Sequence, residues 1–279
     1  KINEGAWGIN RIDARGLRGK SKLSVLGAPF MIVRAIMQTL RVLKQVQPCC
    51  VLGMGGYVTG PGGVAAKLSG KPLLIHEQNA IAGLSNRLLA LIANRVMQAL
   101  PGTFEPSTGA ISTGNPVRAE IGALVDPQAR VTSAARALRV LVLGGSLGAV
   151  AINRTIPEAL RILDPQMRPQ VLHQVGRNNV EQALAAYLQA GLAPDDSLRV
   201  QAFIDDMAAA YDWADLVICR AGATTVCEIA AAGKAAVFIP FPHAVDDHQT
   251  RNARWLSNAG AALLIQQRDL SAQGLASLL

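Results

Sequence analysis

The chain has 279 residues, half of them hydrophobic but only 4% aromatic, and it carries a formal net charge of +8. This length can bury a sizeable core and suggests about two domains. The charge favours an anionic partner, whether a nucleic acid, an acidic membrane surface or a phosphorylated substrate, without choosing among them. The sequence contains neither a secretory leader pattern nor an apolar run of 18 residues, so it predicts no segment that crosses a membrane.

The cysteine spacing suggests neither disulfides nor a zinc site. Cys49 and Cys50 are adjacent within an apolar run, whereas Cys219 and Cys227 flank a glycine-containing turn. None of them has zinc-ligand spacing with a histidine. We therefore expect four buried, reduced thiols in a cytosolic protein.

Short apolar, β-branched runs alternate with helical segments rich in alanine and leucine. Strands separated by helices indicate βαβ units, and continuous apolar runs are typical of parallel strands that are buried on both faces. The sequence therefore predicts an α/β fold with parallel sheets. The nine predicted strands are 49–52, 72–75, 95–97, 139–143, 171–175, 200–203, 216–219, 236–239 and 262–265.

The segment 29–46 precedes the first strand and is predicted to be an amphipathic helix. A lone apolar stripe on a helix usually packs against a core. Because further apolar and basic residues precede this segment, a surface that rests on an anionic membrane is the alternative. The stripe consists of Val33, Ile36, Met37, Leu40 and Leu43.

Two loops that follow strands of the first half carry candidate chemistry. The segment 51–63 has glycine at six of thirteen positions, which exposes backbone N–H groups as a nest for an anion; a flexible turn is the alternative. The polar run from His76 to Asn79 follows the next strand. Either Glu77 or His76 could act there as a general base, and a hydrogen-bonded structural loop is the alternative.

The turn-rich stretch 113–116 separates three predicted strands from six. It sets the expected domain boundary, giving domains at residues 1–117 and 118–279. Two Rossmann-like halves that face each other across a cleft fit this division. Open α/β sheets bind ligands beyond the carboxyl ends of their strands, so the residues directly after each strand are the candidates for a site.

Two strand-to-helix turns in the second half resemble phosphate cradles. The turn Gly144-Gly145-Ser146 leads into a helix whose free N–H groups and positive dipole end attract a phosphate; a turn that serves only packing is the alternative. The segment 219–228 repeats this arrangement. There Glu228 lies one turn into the helix, where a carboxylate can accept the hydroxyls of a ribose. An acid that complements the helix dipole is the alternative.

A polar run, 241–252, follows a later strand and contains histidine and aspartate. Its spacing matches no standard set of metal ligands, so we expect no metal site there.

Taken together and in order, these segments resemble the bacterial peptidoglycan N-acetylglucosaminyltransferases of glycosyltransferase family 28, which convert lipid I into lipid II. Each segment alone is a modest signal, but the ordered set spans nearly the whole chain. The matching segments are 16–20, 53–63, 76–79, 114–118, 144–149, 203–207 and 219–228, with the polar run through Gln249.

The resemblance implies a GT-B fold of two Rossmann-like parallel-sheet domains, with the acceptor and membrane domain first and the UDP-GlcNAc domain second. It implies transfer of GlcNAc from UDP-GlcNAc to the C4 hydroxyl of undecaprenyl-diphospho-MurNAc-pentapeptide (lipid I), with inversion at the anomeric carbon. The reaction that the resemblance implies requires no cofactor or metal. The chain begins at Lys1 without methionine and stops in a helix-like segment, so we expect a fragment that lacks both family ends.

The resemblance also carries roles over to individual positions. Ser146 would bind the donor diphosphate, Ile204 the uracil and Glu228 the ribose. Gln249 and Asn79 would reach the sugar, and Arg118 would lie near the donor. The remaining implied contacts are Ala223, Thr224, Thr225, Val226 and Cys227 along the donor phosphates, and Gly55, Gly56 and Tyr57 at the acceptor diphosphate.

The sequence departs from the family pattern in ways that affect catalysis more than binding. Leu147, Thr224 and Cys227 replace commoner residues, which we expect to be tolerated because the backbone does much of the binding there. Members of the family have a glycine-rich loop near the N-terminus, with a histidine proposed to be catalytic, and we expect this loop to be missing from the fragment. Among the residues present, Glu77 is therefore the candidate base.

The implied partners are UDP-GlcNAc, lipid I, an anionic membrane surface and other cell-wall synthesis proteins, at the cytoplasmic face of the inner membrane. One alternative is another GT-B enzyme that uses UDP-GlcNAc, such as an epimerase or a glycolipid synthase. Another is a basic nucleic-acid-binding protein. No RNA-binding signature supports it, and the cations are dispersed outside 11–44, so we expect no nucleic-acid partner.

Overall fold

The structure is a computed structural model that describes residues 8–14, 28–124, 136–145 and 149–279. The chain divides into two compact units, Lys1–Gly114 and Asn115–Leu279. The division falls just before the boundary expected at residues 117 and 118. Each unit contains one parallel sheet with helices between its strands.

The first unit has a four-stranded parallel sheet in the order β1-β2-β3-β4. The three strands predicted here are present, and β2 runs two residues further than expected, through Glu77. The fourth strand has only two residues, which is too short to give a pattern in the sequence. The elements are α1 (Ala28–Val46), β1 (Val51–Gly53), α2 (Thr59–Leu68), β2 (Leu73–Glu77), α3 (Leu84–Ala90), β3 (Arg95–Gln98) and β4 (Ile111–Ser112).

Helix α1 presents apolar residues on two faces rather than one. Leu43 is buried, and Ile36 and Leu40 pack against the core of the first unit. Phe30 is 77% exposed and Met37 is 52% exposed. The predicted stripe therefore divides between the core and the surface, which confirms core packing for part of it, while the membrane-binding interpretation stays a prediction. Among the residues that the structure describes, no helix combines the length and apolar character needed to cross a bilayer.

The second unit has a six-stranded parallel sheet in the order β10-β9-β8-β5-β6-β7. All six predicted strands are present, although β7 begins and ends two residues before the predicted strand 200–203. The strands are β5 (Arg139–Leu143), β6 (Gln170–Gln174), β7 (Leu198–Gln201), β8 (Leu216–Cys219), β9 (Ala235–Phe238) and β10 (Ala262–Leu264). The helices are α4 (Ala119–Gly122), α5 (Val150–Ile162), α6 (Val180–Gln189), α7 (Met207–Trp213), α8 (Ala223–Ala231), α9 (His248–Ser257) and α10 (Ala272–Ala276).

The second unit has apolar cores on both faces of its sheet. Along β5, Val140 and Val142 join one cluster while Leu141 and Leu143 join the other. Residues that alternate along a strand point to opposite faces, and here both faces are covered by helices. This explains the continuous apolar runs in the sequence.

One polar network lies inside the second of these cores. His173 on β6 is fully buried; its Nδ1 accepts a hydrogen bond from the Tyr187 hydroxyl at 2.8 Å, and its Nε2 donates to Asn153 Oδ1 at 3.1 Å. The network joins β6 to α5 and α6 through satisfied polar groups, as a buried position requires. Burial lowers the pKa of His173 to about 3, so its imidazole is neutral.

The expectation of four buried thiols is wrong for two of them. Cys219 and Cys227 are buried, whereas Cys49 and Cys50 are exposed. The exposed pair lies in the connection after α1, before β1 begins at Val51. Its apolar neighbours in the sequence belong to two different elements, so the run that suggested burial is not a single buried strand.

Candidate functional site

The sheet of the second unit reverses its strand order between β5 and β8. From β5 the chain builds outward through β6 and β7, then returns to the other side of β5 for β8, β9 and β10. The loops that leave β5 and β8 therefore diverge at neighbouring strands. Such a switch point opens a crevice beyond the carboxyl ends of the strands, where open α/β sheets bind ligands.

The turn after β5 requires glycine at its first position. A Cβ atom on Gly144 would lie 2.9 Å from the Gln174 carbonyl oxygen and 3.1 Å from the Ala149 nitrogen, and both are backbone atoms that cannot easily move. Gly145 follows with φ +73°, a conformation that favours glycine. The predicted diphosphate ligand Ser146 lies outside the described residues, as do positions 147 and 148.

The turn after β8 leads into α8, whose amino end has no side-chain cap. Gly222, the residue before the helix, has extended backbone and provides no side-chain cap. The first turn contains no acidic residue. Its N–H groups and positive dipole end are therefore available to an anion. Thr224 is exposed and Thr225 half-buried, so the structure leaves hydroxyls at this end of the helix.

Glu228 lies in the second turn of α8 and is only 8% exposed. Its two carboxylate oxygens have different partners. Arg118, directly before α4, donates a hydrogen bond from Nη2 to Oε1 at 2.9 Å. The hydroxyl of Tyr211 on α7 donates a hydrogen bond to Oε2 at 3.2 Å. Two of the predicted donor residues, Arg118 and Glu228, are thus in direct contact. The carboxylate is held on both sides rather than merely complementing the helix dipole.

Arg220 connects the loop after β8 with the loop after β9. Its Nη1 donates to the carbonyl oxygens of Ile239 and Pro240 at 3.0 and 3.1 Å, and its guanidinium lies 5.6 Å from the centre of the Phe241 ring. Gln249 on α9 joins this group, because its Oε1 accepts a hydrogen bond from the Phe241 N–H at 2.9 Å. The polar run predicted around Gln249 therefore lies beside the β8 loop.

Ile204 lies after β7 with its side chain in the core, 6% exposed. The contact with the uracil that the resemblance implies for Ile204 stays a prediction. Asp206 then caps α7 by accepting a hydrogen bond from the Ala209 N–H at 2.9 Å.

Burial raises the pKa of the Cys227 thiol on α8, to which Asn115 Nδ2 donates a hydrogen bond at 3.3 Å.

In the first unit, the glycine-rich loop lies beside the polar loop after β2. Gly55 and Gly56 have φ of +83° and +80°, and Tyr57 is exposed. A Cβ atom on Gly55 would lie 3.6 Å from Gln78 Oε1 and 3.5 Å from Asn86 Nδ2. The glycine-rich loop, predicted to hold the acceptor diphosphate, therefore lies against Gln78 of the polar loop.

His76 and Glu77 are buried and already engaged. His76 Nε2 donates to the Gly114 carbonyl oxygen at 2.9 Å, while its Nδ1 accepts from Gln78 Nε2 at 3.1 Å. Glu77 is 3% exposed, and each of its oxygens accepts two hydrogen bonds. Oε1 accepts from Asn79 N and Nδ2 at 3.1 and 3.2 Å, and Oε2 accepts from Gly83 N and Asn86 Nδ2 at 3.0 and 2.8 Å. This geometry holds the predicted sugar ligand Asn79 in place.

Sequence reasoning assigned no role to Tyr211, Arg220 or Asn86. Arg220 directly follows a strand, so its position could have marked it. Tyr211 and Asn86 lie inside helices, where no local pattern separates them from ordinary core residues. Within the described ranges, no group of three or more His, Cys, Asp or Glu side chains is arranged to hold a metal ion.

A parallel sheet with an uncapped helix at its switch point, and a held carboxylate in that helix, belongs to the nucleotide-binding class of α/β domains. Family comparison agrees with this class. The glycosyltransferase family 28 C-terminal domain matches residues 139–279, and the family 28 N-terminal domain matches residues 3–98. The chain belongs to glycosyltransferase family 28.

Two similar curated proteins carry the same name, UDP-N-acetylglucosamine–N-acetylmuramyl-(pentapeptide) pyrophosphoryl-undecaprenol N-acetylglucosamine transferase. The protein from Pseudomonas fluorescens Pf-5 is 54% identical over 97% of this chain and 74% of its own length. The protein from Burkholderia multivorans is 54% identical over 95% of this chain and 71% of its own length.

Solved structures show the same architecture. MurG from Acinetobacter baumannii is 43% identical, with a TM-score of 0.82 over 99% of this chain and 76% of that protein. The kitacinnamycin glycosyltransferase is only 15% identical, with a TM-score of 0.65 over 95% of this chain and 76% of its own, and shows the fold alone. The fold is GT-B, two Rossmann-like α/β domains, as the sequence predicted.

Proposed function

We propose that this chain transfers GlcNAc from UDP-GlcNAc to the C4 hydroxyl of undecaprenyl-diphospho-MurNAc-pentapeptide, inverting the anomeric carbon and giving lipid II. The observation that carries the proposal is identity of 54% over 97% of the chain with a relative named for this transfer. That name gives the pyrophosphoryl-undecaprenol acceptor, which favours the transferase over an epimerase or a glycolipid synthase.

The donor occupies the switch point of the second unit in this proposal. Its diphosphate lies against the Gly144 turn with Ser146 and against the amino end of α8, from Ala223 to Cys227. Its ribose hydroxyls donate to Glu228, and its uracil meets the backbone at Ile204. Gln249 and Asn79 reach the GlcNAc, and Arg118 lies beside the donor. Support comes from the uncapped start of α8 and the near-complete burial of Glu228.

The chemistry consists of attack by the acceptor hydroxyl on the anomeric carbon while UDP departs. Negative charge grows on the leaving diphosphate. The N–H groups of a helix amino end, already oriented, stabilise that charge without reorganising during the reaction. We propose that these groups make a metal or cofactor unnecessary.

The acceptor diphosphate would lie against Gly55, Gly56 and Tyr57. The attacking hydroxyl must also lose a proton to a base. Glu77 is the candidate from the sequence, but the four N–H groups on its oxygens favour a positioning role for its carboxylate. In that role, Glu77 orients Asn79 toward the sugar.

The exposed apolar face of α1 would rest on an anionic membrane. Phe30 and Met37 are exposed there, and Arg41 and Lys44 lie exposed on the same helix. Apolar side chains that enter the acyl boundary, with cations at the headgroups, are typical of peripheral helices. We propose peripheral attachment at the cytoplasmic face of the inner membrane, with other cell-wall synthesis proteins as further partners.

Calorimetry with UDP and a turnover assay with a lipid I analogue test the proposal. Glu228→Ala should weaken UDP binding by about 1–3 kcal/mol, the usual cost of stranding polar groups. Glu181→Ala changes an exposed glutamate of the same unit and should leave binding unchanged. An unaltered affinity in Glu228→Ala would remove Glu228 from the donor site. Release of UDP at the same rate with and without the lipid acceptor would contradict the proposed transfer.

A further inference from the structure

Glu228 has one fully buried partner and one half-exposed partner. Tyr211 has 0% exposure and donates to Oε2, whereas the Arg118 side chain that donates to Oε1 is 50% exposed. Water can replace a half-exposed guanidinium on the carboxylate. Water cannot reach the place of the Tyr211 hydroxyl in the same way, because Tyr211 is fully buried in the core and Glu228 is only 8% exposed.

The Tyr211 hydroxyl remains a donor throughout the working pH range. Burial is the main cause that raises its pKa, and the negative charge of Glu228 raises it further. A phenol that does not ionise next to a carboxylate always presents its proton to the carboxylate. The hydrogen bond therefore holds the plane of the Glu228 carboxylate in one orientation.

The two partners leave capacity on Glu228 for a ligand. An ionised carboxylate offers about four acceptor positions, two on each oxygen. Tyr211 and Arg118 occupy one on each oxygen. One position per oxygen is left, which matches the two hydroxyls of a vicinal diol in number.

We propose that Tyr211 is a positioning residue for ribose recognition, which aligns the Glu228 carboxylate with the 2′- and 3′-hydroxyls of the nucleotide. The inference rests on the proposed role of Glu228 and adds the residue that makes this carboxylate selective. Tyr211 does not touch the nucleotide. Its contribution appears only with a ligand that has ribose hydroxyls.

The test compares UDP with 2′,3′-dideoxy-UDP, which lacks both hydroxyls, by calorimetry on the full chain. Tyr211→Phe removes only the hydroxyl. Tyr187→Phe is the matched control, because Tyr187 is also fully buried in the same unit but its hydroxyl meets His173 instead. Thermal unfolding of each variant checks that it is folded.

Tyr211→Phe should weaken UDP binding about three- to tenfold, the effect of one hydrogen bond to a charged group acting indirectly. It should leave binding of the dideoxy ligand unchanged, and Tyr187→Phe should leave the ratio of the two affinities unchanged. An equal loss for both ligands in Tyr211→Phe would assign Tyr211 to general packing and overturn the inference.

A double-mutant cycle gives a second, independent readout. If Tyr211 acts only through Glu228, adding Tyr211→Phe to Glu228→Ala produces no further loss of UDP affinity. A further loss of the same size as in the single variant would overturn the inference. Wild-type protein that binds UDP and the dideoxy ligand equally would instead overturn the ribose role of Glu228 itself, so the two failures are distinguishable.

Discussion

Replacing Glu77 with glutamine separates a catalytic base from a structural anchor. In the structure, both carboxylate oxygens accept two N–H groups each, from Asn79 on one side and from Gly83 and Asn86 on the other. A glutamine amide has one oxygen and one NH₂ group. Whichever way it is turned, the NH₂ faces two donors, so two hydrogen bonds are replaced by repulsion between hydrogens.

The magnitude follows from those two hydrogen bonds. A hydrogen bond to a charged group contributes about 1.5–3 kcal/mol, so two would give roughly 3–6 kcal/mol. Relaxation of the polar loop will recover part of this, and we expect Glu77→Gln to lower the free energy of unfolding of the first unit by about 2–4 kcal/mol. Glu105→Gln is the control, because Glu105 is exposed in the same unit and caps nothing with its side chain.

Hydrogen exchange at increasing urea concentration measures this effect locally, in peptides that cover β2 and α3. The Glu105→Gln control should change stability there by less than about 0.5 kcal/mol. If Glu77→Gln keeps wild-type protection in β2 and α3 while its kcat for transfer collapses, the anchoring argument is refuted. Glu77 would then be the base that the sequence suggested.

Three further predictions concern other parts of the chain. Phe30→Asp should reduce binding to anionic vesicles, measured by co-sedimentation, at least about tenfold without changing thermal unfolding. Leu43→Asp should instead unfold the first unit, as circular dichroism would show. Because the pKa of His173 falls to about 3, the unfolded chain takes up a proton below pH 6.5 that the folded chain does not. The free energy of unfolding should therefore drop by about 2 kcal/mol from pH 6.5 to pH 5. In His173→Gln, this part of the pH dependence should be absent when the free energy of unfolding is measured by urea titration at each pH. The exposed cysteine pair should react with a thiol reagent in the native protein, and the buried pair in β8 and α8 only after unfolding; four reactive thiols in the native state would contradict this.

Strands and the loops that follow them could be predicted because their signals are local. A buried parallel strand is a continuous apolar run, and a turn such as that at Gly144 needs glycine where backbone atoms approach to 2.9 Å. The switch point between β5 and β8 could not be read in the same way. Which strand pairs with which depends on contacts between segments about 75 residues apart, and no local pattern encodes them.

Hydrophobic periodicity predicts helix α1 but does not predict which residues of its stripe are buried. A period of 3.6 residues identifies the helix and its apolar stripe, but the stripe from Val33 to Leu43 is wide enough to span two faces. The position of the sheet decides that Leu43 enters the core while Met37 remains exposed. Substitution of Leu40 or Leu43 would therefore confuse loss of folding with loss of membrane binding, and only the exposed residues give a clean test.

The two fully buried tyrosines of the second unit set the limit of sequence reasoning at the site. Tyr187 and Tyr211 both lie in helices with apolar neighbours, and sequence alone would place both in the core for their rings. Both rings pack in the core, but the two hydroxyls form hydrogen bonds with different groups. Tyr187 bonds to His173, and Tyr211 bonds to Glu228. A buried hydroxyl must find a partner, and the tertiary fold chooses which one. Loops and glycines can thus mark candidate ligand contacts, whereas the buried partner of the Glu228 carboxylate can be identified only from the contacts of the folded chain.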